Sequence, residues 1–265
     1  MLILLPPSEG KVDAGTGRRL DLTRLSLPAL NPAREEVLAA LVALCGGPDE
    51  AAARAALGLS EGQRDELRRN ARLPLAATAP AARVYTGVLY EALDLATLPP
   101  PAVRAARRSI LVSSGLWGAV RLTDRIPPYR CPIGAKLPGP GALGAYWRRV
   151  LGPVLAAEAG ERPVLDLRSG AYAATWTPRG ELAGRTVTVR VLHEREVDGA
   201  PVRSVVSHFN KATKGRLVRD LLLAGARPRT VDELVTALRD LAYTVEEQPA
   251  QAGRPRQVDV VVTQL

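Results

Sequence analysis

The stretch Met1-Leu2-Ile3-Leu4-Leu5-Pro6-Pro7-Ser8-Glu9-Gly10-Lys11 sets the pattern by which the rest of the chain is read. Residues 2–5 form a short apolar run closed by two prolines, which suits a buried strand that empties into a polar loop. The same grammar recurs three times. Ser109-Ile110-Leu111-Val112-Ser113 reads as a buried strand followed by the polar segment 113–136. Val164-Leu165-Asp166-Leu167 reads as another, followed by 166–172. Residues 186–192 and 202–209 alternate as antiparallel neighbours joined through Asp198-Gly199, and the segment 207–216 follows them.

Helical patterns fill the intervals. Asn31-Pro32 opens one, with Pro32 at the first helical position and Glu35 and Glu36 near its positive end. Val37, Leu38, Leu41, Val42 and Cys45 form its apolar face, and Gly46-Gly47 stops it. Ser60-Glu61-Gly62-Gln63 is a capping box for a helix to about Arg69, and Thr230-Val231-Asp232-Glu233 is a second, for a helix to Leu241. Residues 84–98, 142–155 and 211–224 also read as helical. Residues 12–30 form a surface excursion, and strands at 243–247 and 258–262 flank a hairpin loop at 249–256. Without repeats or a linker, the expected architecture is one compact α/β (α+β) domain over 1–265, a mixed central β-sheet flanked by helices.

Composition narrows the function. At 265 residues and 46% hydrophobic content, the chain can bury one sizeable core. No stretch approaches the roughly 20 apolar residues that cross a bilayer, and no basic leader precedes residues 2–5, so a cytoplasmic protein without membrane contact is expected. Cys45 and Cys131 make neither a disulfide framework nor a zinc site, and no His/Cys/Asp spacing suggests a metal. No cofactor is evident.

The net charge of +9 favours anionic partners. Of 36 basic residues four are lysine (Lys11, Lys136, Lys211, Lys214), leaving 36 − 4 = 32 arginines. Arginine serves as well as lysine on a solvated face, so lysine should persist where a compact or titratable ammonium is needed. Convergence of the four strand-end segments would gather Lys11, Arg121, Arg130, Lys136, Arg168, Lys211 and Lys214, and cations that close require a counter-anion. Ser8, Ser113, Ser169 and Arg216 complete the expected anion- or phosphate-binding set. Lys211, Lys214 and Arg216 are expected at the start of their helix, where the macrodipole is already positive and a bound anion would relieve both. Tyr129, Arg130 and Trp117 are candidates for stacking on a base, Trp117 more often being core. Ser114, Tyr129, Asp166 and His208 are the candidates for acid–base work. A hydrolase triad drawn from Ser114, His208 and Asp124 or Asp166 lacks the G-x-S-x-G elbow.

Several of these segments together resemble a known family. They are Leu4-Leu5-Pro6-Pro7-Ser8-Glu9-Gly10-Lys11, Val84-Tyr85-Thr86-Gly87, Ser114-Gly115-Leu116-Trp117-Gly118 and Arg121-Leu122-Thr123-Asp124-Arg125-Ile126-Pro127-Pro128-Tyr129-Arg130. Gly134-Ala135-Lys136-Leu137, Leu165-Asp166-Leu167-Arg168-Ser169-Gly170-Ala171-Tyr172 and Ser207-His208-Phe209-Asn210-Lys211-Ala212-Thr213-Lys214-Gly215 follow. In order and spacing they resemble the YaaA (DUF328) family over nearly the whole chain. The resemblance implies a compact α/β fold, a cytosolic location and a role in limiting iron-driven oxidative damage under peroxide stress. It also implies duplex-DNA binding through a helix-hairpin-helix. Here the corresponding region 48–70 offers Leu57-Gly58-Leu59-Ser60 without a glycine-x-glycine turn, and Glu61, Asp65 and Glu66 dilute its charge. Two readings result. The first is a stress protein that binds phosphate, DNA included, through its basic segments. The second is an enzyme of nucleotide-dependent small-molecule group transfer in which those segments line a pocket for a phosphate- or carboxylate-bearing substrate.

Overall fold

The computed structural model describes residues 1–13, 15–197, 200–205 and 207–263, with the side chains of Val197, Ala200, Ser207 and His208 left out. Its centre is the strand Leu2–Leu5, whose four side chains are buried. Such a strand needs apolar neighbours on both faces, and the sheet supplies a parallel partner at each edge. Ile3 lies opposite Ile110 of the strand Ile110–Ser114, and Leu4 opposite Asp166 of the strand Val164–Asp166. Outward on the first side, Gly118–Arg121 pairs antiparallel with Ile110–Ser114. On the other side come Thr186–Val197 and Arg256–Val262, both parallel, and then Thr244–Glu247, antiparallel. Ala200–Ser204 folds back antiparallel on Thr186–Val197 and completes an eight-stranded mixed sheet, flanked by helices in a single α/β domain. The expected turn at Asp198-Gly199 lies outside the described residues.

This order places the site. From Leu2–Leu5 the chain crosses to Ile110–Ser114 on one side, whereas from the adjacent Val164–Asp166 it crosses to Thr186–Val197 on the other. The two connections diverge at the carboxyl ends of neighbouring parallel strands, and that divergence opens a crevice. The loops beginning at Pro6 and at Leu167 form its walls.

The sheet's outer edge at Gly118–Arg121 is closed by a side chain. Arg34, fully buried on the helix Asn31–Gly46, donates to the carbonyls of Trp117 at 3.1 Å and Ala119 at 2.7 Å, and to Asn31 Oδ1 at 2.8 Å. An edge strand's free carbonyls are thereby satisfied from within the chain.

The C-terminal boundary of the expected strand 202–209 differs from the structure. The strand ends at Ser204 and a helix, Ser207–Leu223, begins four residues before Lys211. Phe209 is helical, its ring 6.2 Å from that of His193. The alternation at 202–209 was misleading because a helix face repeats apolar residues at i and i+4 as well as a strand does at i and i+2. Lys211 is therefore in the second turn, and Lys214 and Arg216 are in the middle of the helix. Contrary to the sequence expectation, none of these three cations stands at the positive end of the helix, because the macrodipole's effect fades within the first turn. The Ser60 capping box is present, but it opens the 3-10 turn Glu61–Gln63 ahead of the helix Arg64–Ala71. The helices Glu50–Leu57 and Pro100–Ser109 had no strong sequence signal, being short, alanine-rich and without a long apolar stripe.

Helix Ser207–Leu223 is docked through a glycine. A Cβ at Gly215 would stand 2.2 Å from the carbonyl oxygen of Leu89 and 2.9 Å from the Cβ of Ala92, both on the helix Val88–Leu93. Backbone meets backbone there, and the contact fixes the height at which Asn210, Lys211 and Lys214 reach the crevice. Gly215→Ala should lower stability by about 1–3 kcal/mol through overpacking. Gly152→Ala, in a helix where a Cβ meets nothing within 4 Å, should raise it by about 0.5–1 kcal/mol. Urea midpoints of the two variants check both signs.

Candidate functional site

The crevice holds a cleft of about 780 Å³. Its walls come from the loop after the central strand, from residues 86–90 and 129–134, from 167–172, and from Asn210, Lys211 and Lys214 of the helix. Of the residues expected to bind anions, Ser8, Lys11, Arg130, Arg168, Ser169, Lys211 and Lys214 line this one cleft, as does Tyr129 from the acid–base candidates.

The others lie elsewhere. Ser113 is buried within its strand. Arg121 donates to the Arg108 carbonyl at 3.0 Å and pairs with Glu158 at 2.5 Å, so its charge is neutralised away from the cleft. Lys136 is exposed on the short ribbon Lys136–Leu137, and Arg216 is exposed on its helix, outside the cleft lining. The His208 side chain lies outside the described residues. Trp117 is wholly buried, its ring edge-on to Tyr129 with centroids 5.9 Å apart, and is core.

Under the cleft floor runs a chain of hydroxyls. Tyr85 and Tyr129 share a hydrogen bond of 2.9 Å, and Tyr129 and Ser114 share one of 2.6 Å. Ser114 Oγ also accepts from the backbone N–H of Leu116 at 3.1 Å and of Trp117 at 2.9 Å. Burial holds the Tyr85 and Tyr129 phenols well above their usual range, so both stay protonated. Ser114 is thus a buried organiser of its turn, without a base to activate it. Asp124 is likewise engaged, accepting from Ser26 and from the Arg121 N–H.

Asp166 and Arg168 form a buried pair with side chains 4% and 1% exposed. Arg168 Nε donates to Oδ1 at 2.8 Å and an Nη to Oδ2 at 2.6 Å, while further Nη bonds reach the carbonyls of Tyr172 and Trp176. The guanidinium holds the loop 167–176 in place and spends its donors doing so. Asp166, committed to it, is not available as a base.

The remaining cations are less well matched. Lys214 is buried, and among the described residues its ammonium makes one hydrogen bond, to the Leu167 carbonyl at 3.2 Å. Burial lowers its pKa, opposed by the more distant Asp166. Lys11 donates to the carbonyl of Ser8 at 2.8 Å and stands 4.3 Å above the Tyr129 ring centre. Burial, and then the neighbouring Arg130, push its pKa from 10.5 down to about 8. Arg130 meets Glu9 at 3.2 Å, a carboxylate 85% exposed to water, while its own Nε is buried without a partner. Lys211 is exposed at the rim. Five cations line the cleft; against them stand Glu9 and, behind Arg168, Asp166, so 5 − 2 leaves three positive charges.

Several lining or supporting residues were not singled out from the sequence. Asn70, fully buried, clamps Arg130 by both main-chain groups, donating to its carbonyl at 2.7 Å and accepting from its N–H at 3.0 Å. Nothing in the sequence marks a helical asparagine for that role. Ser8 proves to be a loop organiser, accepting from the Thr86 N–H at 3.0 Å and donating to the Gly10 carbonyl at 2.6 Å. Cys131 also lines the cleft, its thiol pushed up to about 12 by burial and so unreactive. Among the described residues no three His, Cys, Asp or Glu side chains cluster as metal ligands, and no helix is long and apolar enough to cross a membrane.

Removing one partner of the Asp166–Arg168 pair strands a buried charge. Asp166→Ala should cost about 3–5 kcal/mol, measured by thermal or urea unfolding. A loss below 1 kcal/mol would show that the pair does not organise the cleft wall.

Comparison with known proteins identifies the chain's relatives. The model of the family described as peroxide stress protein YaaA matches residues 1–249. A UPF0246 protein of Streptomyces coelicolor is 60% identical, with all of both chains covered. One of Corynebacterium efficiens is 41% identical over 99% of this chain and 100% of its own, and one of Cereibacter sphaeroides is 32% identical over 68% of each. The chain belongs to the YaaA peroxide stress protein family.

Proposed function

We propose that the protein serves the peroxide stress response by binding a small anion, a phosphate or carboxylate, in the strand-end cleft. The observation that carries this reading is the pair Lys11 and Lys214. Both ammonium groups are largely withdrawn from water, and among the described residues neither has a carboxylate in hydrogen-bonding contact. Holding such charges is costly, and an anion between them would return part of that cost as charge-assisted hydrogen bonds.

Duplex DNA is the other anionic partner that the sequence and the family suggest. Three of the four arginines of the region 48–70 are drawn into ion pairs on their own surface: Arg54 with Glu61, Arg68 with Asp65, Arg69 with Glu66. A surface that spends its cations internally offers a weak stripe for backbone phosphates. The concave placement of the unmatched lysines favours a small ligand over a duplex.

The cleft could also house group-transfer chemistry. Lys11, with a pKa of about 8, can exchange a proton near neutral pH, whereas Tyr129 beside it stays protonated and can only donate or accept a hydrogen bond. The bonds that Ser114 and Asp166 already make weigh against them for that work.

Sulfate keeps a constant charge above pH 3 or so and isolates the protein's titration. Its affinity, by calorimetry at low ionic strength, should be flat below Lys11's pKa and fall as pH rises through about 8. The sign follows from linkage: sulfate favours the ammonium form, so binding takes up protons once Lys11 begins to lose its own. Lys11→Met or Lys214→Met should each weaken binding about tenfold, the worth of one charge-assisted hydrogen bond. Absence of sulfate binding, together with tight, steeply salt-dependent binding of a duplex by both variants, would move the function to another surface.

A further inference from the structure

One polar atom of the cleft has no use for an anion. Asn210 lies on the helix Ser207–Leu223 next to Lys211 and one turn before Lys214, and its Oδ1 is buried without a hydrogen-bond partner among the described residues. A buried acceptor left unsatisfied costs about 1–3 kcal/mol. A phosphate or carboxylate oxygen cannot relieve it, because two acceptors repel. What Asn210 requires is an N–H or O–H donor, presented a few ångströms from where the lysines require negative charge.

The rest of the cleft adds two constraints. Its volume of about 780 Å³ is far more than an inorganic anion fills, and falls in the usual range for organic ligands and cofactors. Its walls include apolar surface from Pro6, Pro7, Val88 and Ile133, which would be wasted on a phosphate alone. A ligand that meets all of this is anionic at one end, has a bulky and partly apolar body, and carries a polar hydrogen between the two.

Resting on the anion reading above, we propose that the cleft takes a nucleoside phosphate, with Lys11, Lys211 and Lys214 on its phosphate and Asn210 Oδ1 accepting from its sugar or base. The base would lie against the apolar wall. An asparagine amide is a common reader of base edges, because it pairs an acceptor with a donor. No covalent step is implied.

Calorimetry on the full chain, with AMP and with inorganic phosphate as probes, tests this directly. AMP should bind at least tenfold more tightly than phosphate. Asn210→Leu should remove most of that advantage while leaving phosphate affinity unchanged; Asn210→Ser serves the same purpose should the larger side chain fail to fold. AMP binding no better than phosphate would overturn the nucleoside assignment and leave the anion reading in place. Equal losses for both probes in the Asn210 variants would overturn it too, by showing that the amide serves the anion. If neither probe binds, the anion reading falls and this inference falls with it.

Discussion

The buried pair of Asp166 and Arg168 decides what the rest of the site can do. It stands at the carboxyl end of a strand next to the central one, almost wholly out of water. A lone buried guanidinium is prohibitively costly, so the pair must form for the loop 167–176 to close over the sheet. In forming, it removes from the site the carboxylate that would otherwise neutralise Lys214. That lysine is left with the Leu167 carbonyl, and the cleft keeps a positive balance. The same interaction therefore builds the wall and leaves the charge.

Topology explains why the leftover cations meet. Lys11, Arg130 and Lys214 come from positions far apart in the sequence, yet all three line the cleft at the carboxyl ends of the central strands. The strand order makes neighbouring connections diverge there, and the crevice is a consequence of that divergence. The helix Ser207–Leu223 is then lowered onto the crevice until Gly215 touches the backbone at Leu89. The bare α-carbon is the reason that Asn210 and Lys214 reach inward, where a larger residue would hold the helix away.

Much of this was legible in the sequence. The apolar runs at 2–5, 110–114 and 164–166 are strands because each is short, fully buried and followed by a breaker. The scarcity of lysine pointed to Lys11, Lys211 and Lys214, which share the cleft, but also to Lys136, which does not. Residue type alone could not separate them, since both a rim contact and a solvated ribbon tolerate an ammonium. Arg121 lies away from the cleft on Glu158, and Arg168 lines it while paired with Asp166; neither pairing could be read from the sequence, because pairing is a tertiary fact. Asn70 and Asn210 gave no signal, because an amide becomes significant only when burial removes its water. The helix start at Ser207 was misplaced because alternation over a few residues does not distinguish the two periods.

The account turns on lysine ammonium groups held in the cleft without a matching carboxylate, and Lys11 reports on this most directly. With four lysines in the chain, nitrogen-detected NMR can follow each amine through a pH titration, assigned by single Lys→Arg variants. The account predicts that Lys11 loses its proton at about 8, well below the ordinary 10.5, and that saturating sulfate moves that titration upward. A Lys11 that titrates at its ordinary value and ignores sulfate would mean that the cleft's charge is already satisfied, and the proposed binding site would have no basis.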